Sequence, residues 1–279
     1  MKKAIFSTEI SLLRSTMQRL LRRGAHANIA KILRKTHQAD VALIMRSLNP
    51  YDQSTVFSLC PTALHKARLL EELDESLIEK VLENESSKNI SKIFRYLDTN
   101  DQATIISMFS QNKQNEILKI IEIDDKEEVE EIMSYPDDSA GSIMTKETFT
   151  LNQNTSVKDS IKKLQSFPEN DKIFYLYVLD NKGKLVGVVS LRTLVTSNNS
   201  KKLKDVMIKD IQAATTETDQ EEVAKKVAQY NYLALPIVNK QNIFLGIVTI
   251  DDVVDIIREE ASEDFLQMAG VGKDREILL

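Results

Sequence analysis

The chain has 279 residues, of which 42% are hydrophobic and 28% are charged, and its formal net charge at pH 7 is −5. These values are ordinary for a globular protein of about two domains. The single cysteine, Cys60, excludes an intramolecular disulfide framework and a CxxC zinc site, and it favours a reducing compartment. No segment reaches the ~18 consecutive apolar residues that a membrane-spanning helix needs, and a secretory signal is not expected.

Charge is distributed unevenly along the chain. Residues 1–46 contain ten Lys and Arg against two acidic residues, whereas residues 251–264 contain seven acidic residues against Arg258 alone. A basic N-terminal segment is one feature of nucleic-acid-binding proteins. Here, however, the basic residues follow an amphipathic helical pattern with little aromatic interleaving, which favours a solvated helix face. We therefore expect no nucleic-acid partner.

The first half of the chain, up to about residue 134, has the hydrophobic spacing of helices and contains a repeat. Leu and Ile residues precede Asn- or Asp-containing turns at intervals of 25, 24 and 26 residues, at Leu48, Leu73, Leu97 and Ile123. Each turn offers a candidate helix N-cap, namely Asn49, Asp74, Asp98 and Asp124. A period near 25 predicts short helical hairpins that stack into a small superhelix, which is typical of a scaffold rather than a catalytic pocket.

The second half is an internal duplication of roughly sixty residues. Met144 and Met207 mark equivalent positions 63 residues apart, and Gly187 and Gly246 mark equivalent positions 59 residues apart. Compact β-rich runs, such as residues 173–180, alternate with helical patterns in both copies. Each copy therefore predicts a β–α–β–β–α order.

The duplicated half resembles a tandem pair of cystathionine-β-synthase (CBS) domains, through Ile143–Thr145, Gly187–Ser190 and Gly246–Thr249. The motif YPDDSAGSIMT at Tyr135–Thr145 joins it directly to the helical repeats, and the acidic helical segment Asp251–Val271 closes the second copy. In this order, the parts resemble the cytosolic region of the MgtE magnesium-transporter family. The resemblance implies a mixed fold, with an all-α helical-repeat, superhelical N-terminal domain followed by tandem α+β CBS domains.

The resemblance also implies where the domains begin and end. We expect the helical-repeat N domain over residues 1–134, the first CBS domain over residues 135–203 and the second over residues 204–258. A C-terminal acidic connecting helix and tail would follow over residues 259–279.

Magnesium ligands are implied at three places by the same resemblance. On the C-terminal helix they are Asp252, Asp255, Glu260 and Glu263, with Asp264 adjacent. Carboxylates three or four residues apart share a helix face, but a solvated acidic face has the same pattern. In the N domain the candidates are Asp98 and Asp101, which alternatively serve as an N-cap and a first-turn partner of the helix dipole. At Gly141 a backbone carbonyl could bind metal, or the residue is simply part of an interdomain turn.

An adenine nucleotide such as ATP is a further implied ligand. In related sensor pairs an Arg-Asp sequence after the third strand contacts the ribose and phosphates, and here Arg192 is kept while Thr193 replaces the Asp. A Thr hydroxyl cannot make the bidentate contact of a carboxylate to ribose. In the segment Gln229–Pro236, Asn231 precedes Tyr232 where the family has a metal-linking carboxylate before an aromatic residue. Arg192, Thr193 and Tyr232 are the candidate nucleotide contacts.

Enzymatic activity is not expected. The three His residues all lie in the helical half without HExxH spacing, and no GxSxG, Walker A or GxGxxG motif is present. The resemblance instead implies a Mg²⁺-sensing regulatory region at the cytoplasmic face of the cell membrane. It would form a homodimer through the CBS domains and act on a transmembrane pore domain of the same polypeptide, absent from this chain. The alternative is a soluble CBS-domain adenine-nucleotide sensor that regulates a partner protein.

Overall fold

The computed structural model describes residues 2–83, 85–121, 123–167 and 173–268. The chain divides into two compact units, Met1–Val129 and Glu130–Leu279. Among the residues that the structure describes, no helix combines the length and the apolar character that a bilayer crossing requires.

The first unit is built from short helices. In chain order they are α1 (Lys2–Arg22), α2 (His26–Leu33), α3 (Gln38–Met45), α4 (Pro50–Ser58), α5 (Ala63–Leu70), α6 (Glu75–Leu82), α7 (Ser87–Phe94), α8 (Thr99–Ser107), α9 (Gln111–Leu118) and α10 (Ile123–Ile132), the last of which continues into the second unit. The odd-numbered helices from α1 to α9 pack in one row, and α4, α6 and α8 pack in a second row. The predicted stack of helical hairpins is therefore confirmed.

The repeat markers lie where the sequence predicts them, but the capping chemistry differs between repeats. Leu48, Leu73 and Leu97 are buried immediately before α4, α6 and α8. Asn49 caps α4, since its side chain accepts a hydrogen bond from the Asp52 amide at 3.0 Å. Asp74 occupies the N-cap position of α6 without a capping bond, and its carboxylate instead accepts two hydrogen bonds from Arg46 at 3.0 and 3.1 Å.

The structure confirms the N-cap position predicted for Asp98 and corrects the one predicted for Asp124. Asp98 also occupies the N-cap position, that of α8, without a side-chain capping bond. Asp124 lies inside α10, which begins at Ile123, so its prediction as an N-cap is wrong. The turn position was predictable from the repeat, whereas the side-chain rotamer that decides capping was not.

Buried glutamines join consecutive helices of the first unit. The Gln53 amide nitrogen donates to the carbonyls of Met45 and Leu48, at 3.1 and 3.0 Å. Gln102, two repeats later, donates in the same way to the carbonyls of Phe94 and Leu97, at 3.0 and 2.9 Å. Each glutamine thus adds a second donor to the last carbonyl of the preceding helix, which already accepts a turn hydrogen bond from the amide of Leu48 or Leu97, and bonds to one carbonyl of the turn that follows.

The second unit consists of two equivalent modules. The strands are β1 (Thr150–Asn152), β2 (Tyr175–Leu179), β3 (Leu185–Ser190), β4 (Ala214–Thr215), β5 (Ala234–Val238) and β6 (Phe244–Thr249). The helices are α11 (Ala140–Ile143), α12 (Val157–Ser166), α13 (Leu191–Thr196), α14 (Leu203–Val206), α15 (Gln220–Tyr230) and α16 (Ile250–Met268). The first module runs from β1 to α13 and the second from β4 to α16, so the predicted β–α–β–β–α order is confirmed in both copies.

Each module has a three-stranded mixed sheet. The strand orders are β1-β2-β3 and β4-β5-β6, with the first pair parallel and the second pair antiparallel in both sheets. A separate apolar cluster fills the core of each module, and a third cluster, which contains Tyr177, Ala234 and Ile247, lies between the two sheets. The shared cluster joins the modules into one unit.

The two modules exchange the segments that precede them. Thr145, after α11, exchanges two backbone hydrogen bonds with Ile247 of β6, at 2.8 and 3.0 Å. Ile208, after α14, exchanges two with Val188 of β3, at 2.9 and 3.0 Å. The segment before each module therefore pairs with the last strand of the other module.

In this arrangement the duplicated Met and Gly markers lie close to each other, Met207 beside Gly187 and Met144 beside Gly246. A Cβ atom at Gly187 would overlap the Met207 side chain, and a Cβ atom at Gly246 would lie 2.5 Å from the Thr145 carbonyl oxygen and 3.3 Å from the Met144 sulfur. Glycine is required at both positions because another chain segment approaches the strand closely.

Candidate metal and nucleotide sites

The first turn of α16 contains a reciprocal capping arrangement. The Asp252 carboxylate accepts hydrogen bonds from the amide and the hydroxyl of Thr249, at 3.1 and 2.6 Å, and the Asp252 amide donates to the Thr249 hydroxyl at 3.4 Å. A carboxylate at this place also interacts favourably with the helix dipole. One oxygen of the predicted metal ligand Asp252 is thus already used by the helix start.

The first module has an uncharged version of the same arrangement. Thr193 donates its amide to the Ser190 hydroxyl at 3.1 Å, and the two hydroxyls lie 2.9 Å apart. The duplication therefore places Thr193 in the first module where the second module has Asp252. Arg192, the neighbouring candidate nucleotide contact, is exposed at the start of α13.

The other two predicted ligands of α16 whose side chains are described, Asp255 and Glu260, interact with different partners. Asp255 accepts a hydrogen bond from Arg258 at 3.1 Å, in an ion pair whose side chains are 59% and 74% exposed. Glu260 is half-buried and accepts a hydrogen bond from the amide of Gln220 on α15 at 2.8 Å. Asp252, Asp255 and Glu260 therefore point toward the helix start, toward solvent and toward α15, and the structure does not bring them together.

Two of the predicted ligands cannot be placed in this geometry. The side chains of Glu263 and Asp264 lie outside the described residues. Within the part of the chain that the structure describes, no group of three His, Cys, Asp or Glu side chains is arranged to hold a metal ion. The metal role of the α16 carboxylates thus stays a prediction.

The N-domain candidates lie at one helix start. Asp98 occupies the N-cap position of α8 and Asp101 lies in its first turn, and both side chains are half-buried. Both carboxylates can interact with the partial positive charge at this helix end. The structure thus agrees with the dipole alternative and leaves their metal binding a prediction.

Gly141 has a packing role that the sequence did not indicate. It is buried in α11, where a Cβ atom would lie 2.5 to 2.9 Å from three ring atoms of Tyr135. Its amide donates to the Thr216 carbonyl at 3.0 Å. The absence of a side chain lets the tyrosine ring lie against α11. Metal binding by the Gly141 carbonyl stays a prediction.

The Tyr135 ring belongs to a polar cluster at the start of the second unit. Glu131 of α10 accepts a hydrogen bond from the Tyr135 hydroxyl at 2.9 Å and forms an ion pair with Lys146. Partial burial opposes ionisation of Glu131, but the hydrogen bonds from Lys146 and Tyr135 lower the pKa of its carboxyl. Burial, together with the hydrogen bond to Glu131, raises the pKa of Tyr135 to about 12.

The third candidate nucleotide contact, Tyr232, belongs to an aromatic group that the sequence does not indicate. Tyr232 is half-buried and stacks on Tyr230 with ring centroids 5.5 Å apart. Burial raises the pKa of Tyr232, and Tyr230, Asp210 and Tyr175 contribute in the same direction. Tyr175 itself lies opposite Ser190 in the sheet register, and Ser190 directly precedes the helix that contains Arg192.

Tyr177 is the second aromatic residue that the sequence did not single out. It is only 2% exposed in the cluster between the sheets, and its ring stacks on Phe244 at 5.0 Å. Its buried hydroxyl has no hydrogen-bond partner in the described structure. Burial raises the pKa of this phenol, with a smaller contribution from Tyr175. An apolar run such as residues 173–180 predicts a strand, but not which of its tyrosines is left with an unpaired hydroxyl.

Comparisons with known families match both units. The model of the MgtE intracellular N domain matches residues 36–138, and the CBS-domain model matches residues 140–198 and 203–259. The Bacillus subtilis magnesium transporter MgtE is 34% identical over 240 residues, which are 81% of this chain and 53% of that protein. The chain is a homologue of the MgtE magnesium transporters. The chain spans about half the length of the Bacillus subtilis protein.

Other relatives and solved structures agree with this assignment. The MgtE magnesium transporter of Thermus thermophilus is 37% identical over 145 residues, 52% of this chain and 32% of that protein. A crystal structure of the cytosolic domain of the Mg²⁺ channel MgtE in complex with ATP is 28% identical. It superposes with a TM-score of 0.80 and covers 87% of this chain and 99% of that one.

The homology to MgtE supports three of the expectations from the sequence. The helical N domain and the tandem CBS modules are confirmed, and the fold also matches the soluble part of a magnesium transporter with a TM-score of 0.75 at 23% identity, over 90% of this chain and 99% of that one. The relatives that match across both units are a magnesium transporter and the cytosolic domain of a Mg²⁺ channel, in agreement with the prediction that the chain is not an enzyme. The link to magnesium transport is likewise confirmed at the level of the family.

Proposed function

We propose that this chain is a cytosolic Mg²⁺-sensing regulatory region of a magnesium transporter or channel. In this proposal, Mg²⁺ bridges acidic surfaces of the N domain and the CBS domains and thereby favours the closed state. The observation that carries the proposal is the series of carboxylates on α16, which closes the second CBS module in a homologue of MgtE.

The described partners of these carboxylates leave room for a cation. The Asp255–Arg258 pair is exposed on both sides, and such a pair contributes only about 0–1 kcal/mol, so a divalent ion can replace the arginine at small cost. Glu260 accepts a hydrogen bond from a neutral amide, and the cation near it, Lys225, is ion-paired with Glu221, so its charge is only partly compensated. Mg²⁺ prefers oxygen ligands and keeps several waters, so it can link carboxylates without a complete protein cage.

Simple electrostatics gives the size of the effect. Two like charges about 4 Å apart repel by ~4 kcal/mol at an effective dielectric constant of 20, so facing carboxylates oppose closure until cations bind. If each ion favours the closed state about tenfold, four ions contribute about 5.5 kcal/mol, which is enough to convert a mostly open population into a mostly closed one.

The remaining parts of the proposal follow from the family. We place the domain boundaries after residues 134, 203 and 258, and we place a homodimer contact in the CBS domains. The region would lie at the cytoplasmic face of the cell membrane and act on a pore domain of the same polypeptide. The helical segment with seven acidic residues in 251–264 would transmit the Mg²⁺-dependent movement of the N domain and the CBS domains to that pore.

Titration calorimetry with MgCl₂ tests the role of α16. The double variant Asp255→Asn, Glu260→Gln should lose at least part of the binding heat, because two anionic ligands become neutral. The matched control is Glu217→Gln, Glu222→Gln, which neutralises two exposed, ion-paired carboxylates of the same unit. Equal heats for all three proteins would contradict the proposal.

The second candidate is an adenine-nucleotide sensor. The stacked rings of Tyr230 and Tyr232 favour it, because an aromatic stacking surface suits a purine base. The MgtE cytosolic domain at 28% identity was crystallised with ATP. Titration with ATP and AMP, for the wild type and for Arg192→Ala, tests it. Tight ATP binding without any heat from Mg²⁺ alone would favour this candidate over the first.

A further inference from the structure

The N-terminal helices α1 and α2 differ from the rest of the chain in charge. They precede residue 36, where the match to the MgtE N domain begins. Residues 1–35 contain nine Lys and Arg against one acidic residue, although the whole chain has 37 basic and 42 acidic residues. The family assignment therefore leaves this basic segment unexplained.

The structure exposes these cations on a helical hairpin. Met17 of α1 and Ile29 and Leu33 of α2 are buried, which fixes the inner side of both helices. Seven cations of α1, α2 and the residues that follow them are exposed, and together they are called the basic hairpin: Arg14, Arg19, Arg22, Arg23, Lys31, Arg34 and Lys35.

Two properties of the basic hairpin suit an anionic surface. None of its seven cations forms an ion pair with another residue that the structure describes. Leu12, on the outer side of α1, is 68% exposed and lies about two turns before Arg19. An amphipathic helix with four to eight Lys or Arg residues is typical of segments that bind anionic lipids, and an exposed apolar side chain can insert at the headgroup boundary.

We propose that the basic hairpin binds the anionic surface of a phospholipid bilayer. This inference rests on the proposed function, which places the chain beside a membrane. Nucleic acid is the other polyanion to consider. Proteins that bind single strands rely on aromatic side chains on which bases stack, and residues 1–35 contain Phe6 as their one aromatic residue. Leu12 suits a bilayer, where it finds apolar surroundings.

Vesicle co-sedimentation in EDTA tests the proposal with the whole chain. The wild type should bind vesicles of phosphatidylcholine with 30 mol% phosphatidylglycerol, should not bind phosphatidylcholine alone, and should dissociate as salt is raised. The triple variant Arg19→Gln, Arg22→Gln, Arg23→Gln should lower the partition coefficient on the order of a hundredfold, because each cation near such a surface contributes a factor of about five. Leu12→Ser, which keeps every charge, should weaken binding severalfold.

A matched control separates local charge from net charge. The variant Lys158→Gln, Lys162→Gln, Lys163→Gln removes three exposed cations from α12 and should bind like the wild type. Circular dichroism checks that each variant keeps its helices. Equal losses in both triple variants, no binding to anionic vesicles, or tighter binding to duplex DNA than to vesicles would each overturn the proposal. If the chain binds Mg²⁺ but not anionic vesicles, only the membrane-binding inference is overturned, because the calorimetric test of α16 needs no lipid.

Discussion

The two units of the chain hold their repeats together in different ways. In the helical unit, side chains such as Gln53 and Gln102 bond to carbonyls five and eight residues earlier, so each repeat is joined to its sequence neighbour. In the CBS unit, Thr145 and Ile247 pair across 102 residues of sequence, and the equivalent pair is Val188 with Ile208. The first unit is a stack of local contacts, and the second depends on an exchange between its two copies.

This difference teaches where each unit is most sensitive to mutation. Stacked repeats contact only their neighbours, so a lost contact weakens one junction. Exchanged segments are close-packed against a strand of the other module, so one added methyl group disturbs both modules at once. We therefore expect the largest losses of stability at the exchange and smaller ones in the stack.

The glycines at the exchange provide the largest expected effect. Gly246→Ala would place a Cβ against the backbone carbonyl of Thr145, which cannot rotate away, whereas Gly187→Ala would meet the flexible side chain of Met207. We expect Gly246→Ala to lower the free energy of unfolding by about 3 kcal/mol or more and Gly187→Ala by about 1–2 kcal/mol. Urea unfolding of both variants measures the difference.

The informative result is which of the two glycine variants loses more free energy of unfolding. The double variant Gly187→Ala, Met207→Ala serves as the control, since it removes the side chain that the new methyl would meet. If Gly187→Ala costs as much as Gly246→Ala, backbone approach is not what distinguishes the two positions.

The glutamine contacts of the helical unit should have an intermediate effect. Gln102→Ala removes the buried side-chain donor to the carbonyls of Phe94 and Leu97, of which Phe94 keeps the Leu97 amide, and we expect a loss of about 1–3 kcal/mol in the free energy of unfolding. Gln114, half-buried, bonds to the Phe109 carbonyl at 2.8 Å, where water can replace it, so Gln114→Ala should cost about 0.5 kcal/mol. Equal costs at the two positions would show that burial does not set the strength of these contacts.

The polar cluster at the start of the second unit should have the smallest effect, visible through pH. The pKa of Glu131 is lower in the folded chain than the usual value of about 4.3, so its contribution to stability is present above that pH and is lost as the pH falls through the folded pKa. The wild type should therefore lose more stability than Glu131→Gln between about pH 5 and pH 3, by less than about 1 kcal/mol because the carboxylate is partly exposed. Urea unfolding at several pH values measures this.

A matched variant serves as the control for the comparison of the wild type with Glu131→Gln. Glu217→Gln breaks the exposed ion pair with Lys240 in the same unit and should leave the acid dependence of unfolding close to that of the wild type. Parallel pH profiles for the wild type and Glu131→Gln would exclude a stabilising role of the Glu131 carboxylate.

Much of the fold was predictable because its signals are local or repeated. The interval between Leu48, Leu73 and Leu97 predicted the hairpin stack, and the paired markers Met144 and Met207 predicted the duplication. The crosswise contact of Gly246 with Thr145 was not predictable, because a duplication in one sequence does not say which copy each segment pairs with. Capping at Asp74 failed for a similar reason, since Arg46 of an earlier helix binds the carboxylate instead.

The candidate sites were less predictable than the fold. Helical spacing placed Asp252, Asp255 and Glu260 on one acidic helix, but their partners come from Thr249, Arg258 and Gln220. Side-chain direction depends on these neighbours, and spacing alone does not contain it. Tyr177 could not be selected from its strand for the same reason, because its missing partner is a property of the packed cluster between two modules.

The most direct test of the Mg²⁺-sensing proposal is small-angle X-ray scattering of the whole chain with and without millimolar MgCl₂. If Mg²⁺ draws the helical and CBS units together, the radius of gyration should decrease on addition of the ion and recover when EDTA removes it. An identical radius of gyration in both conditions would contradict the proposal.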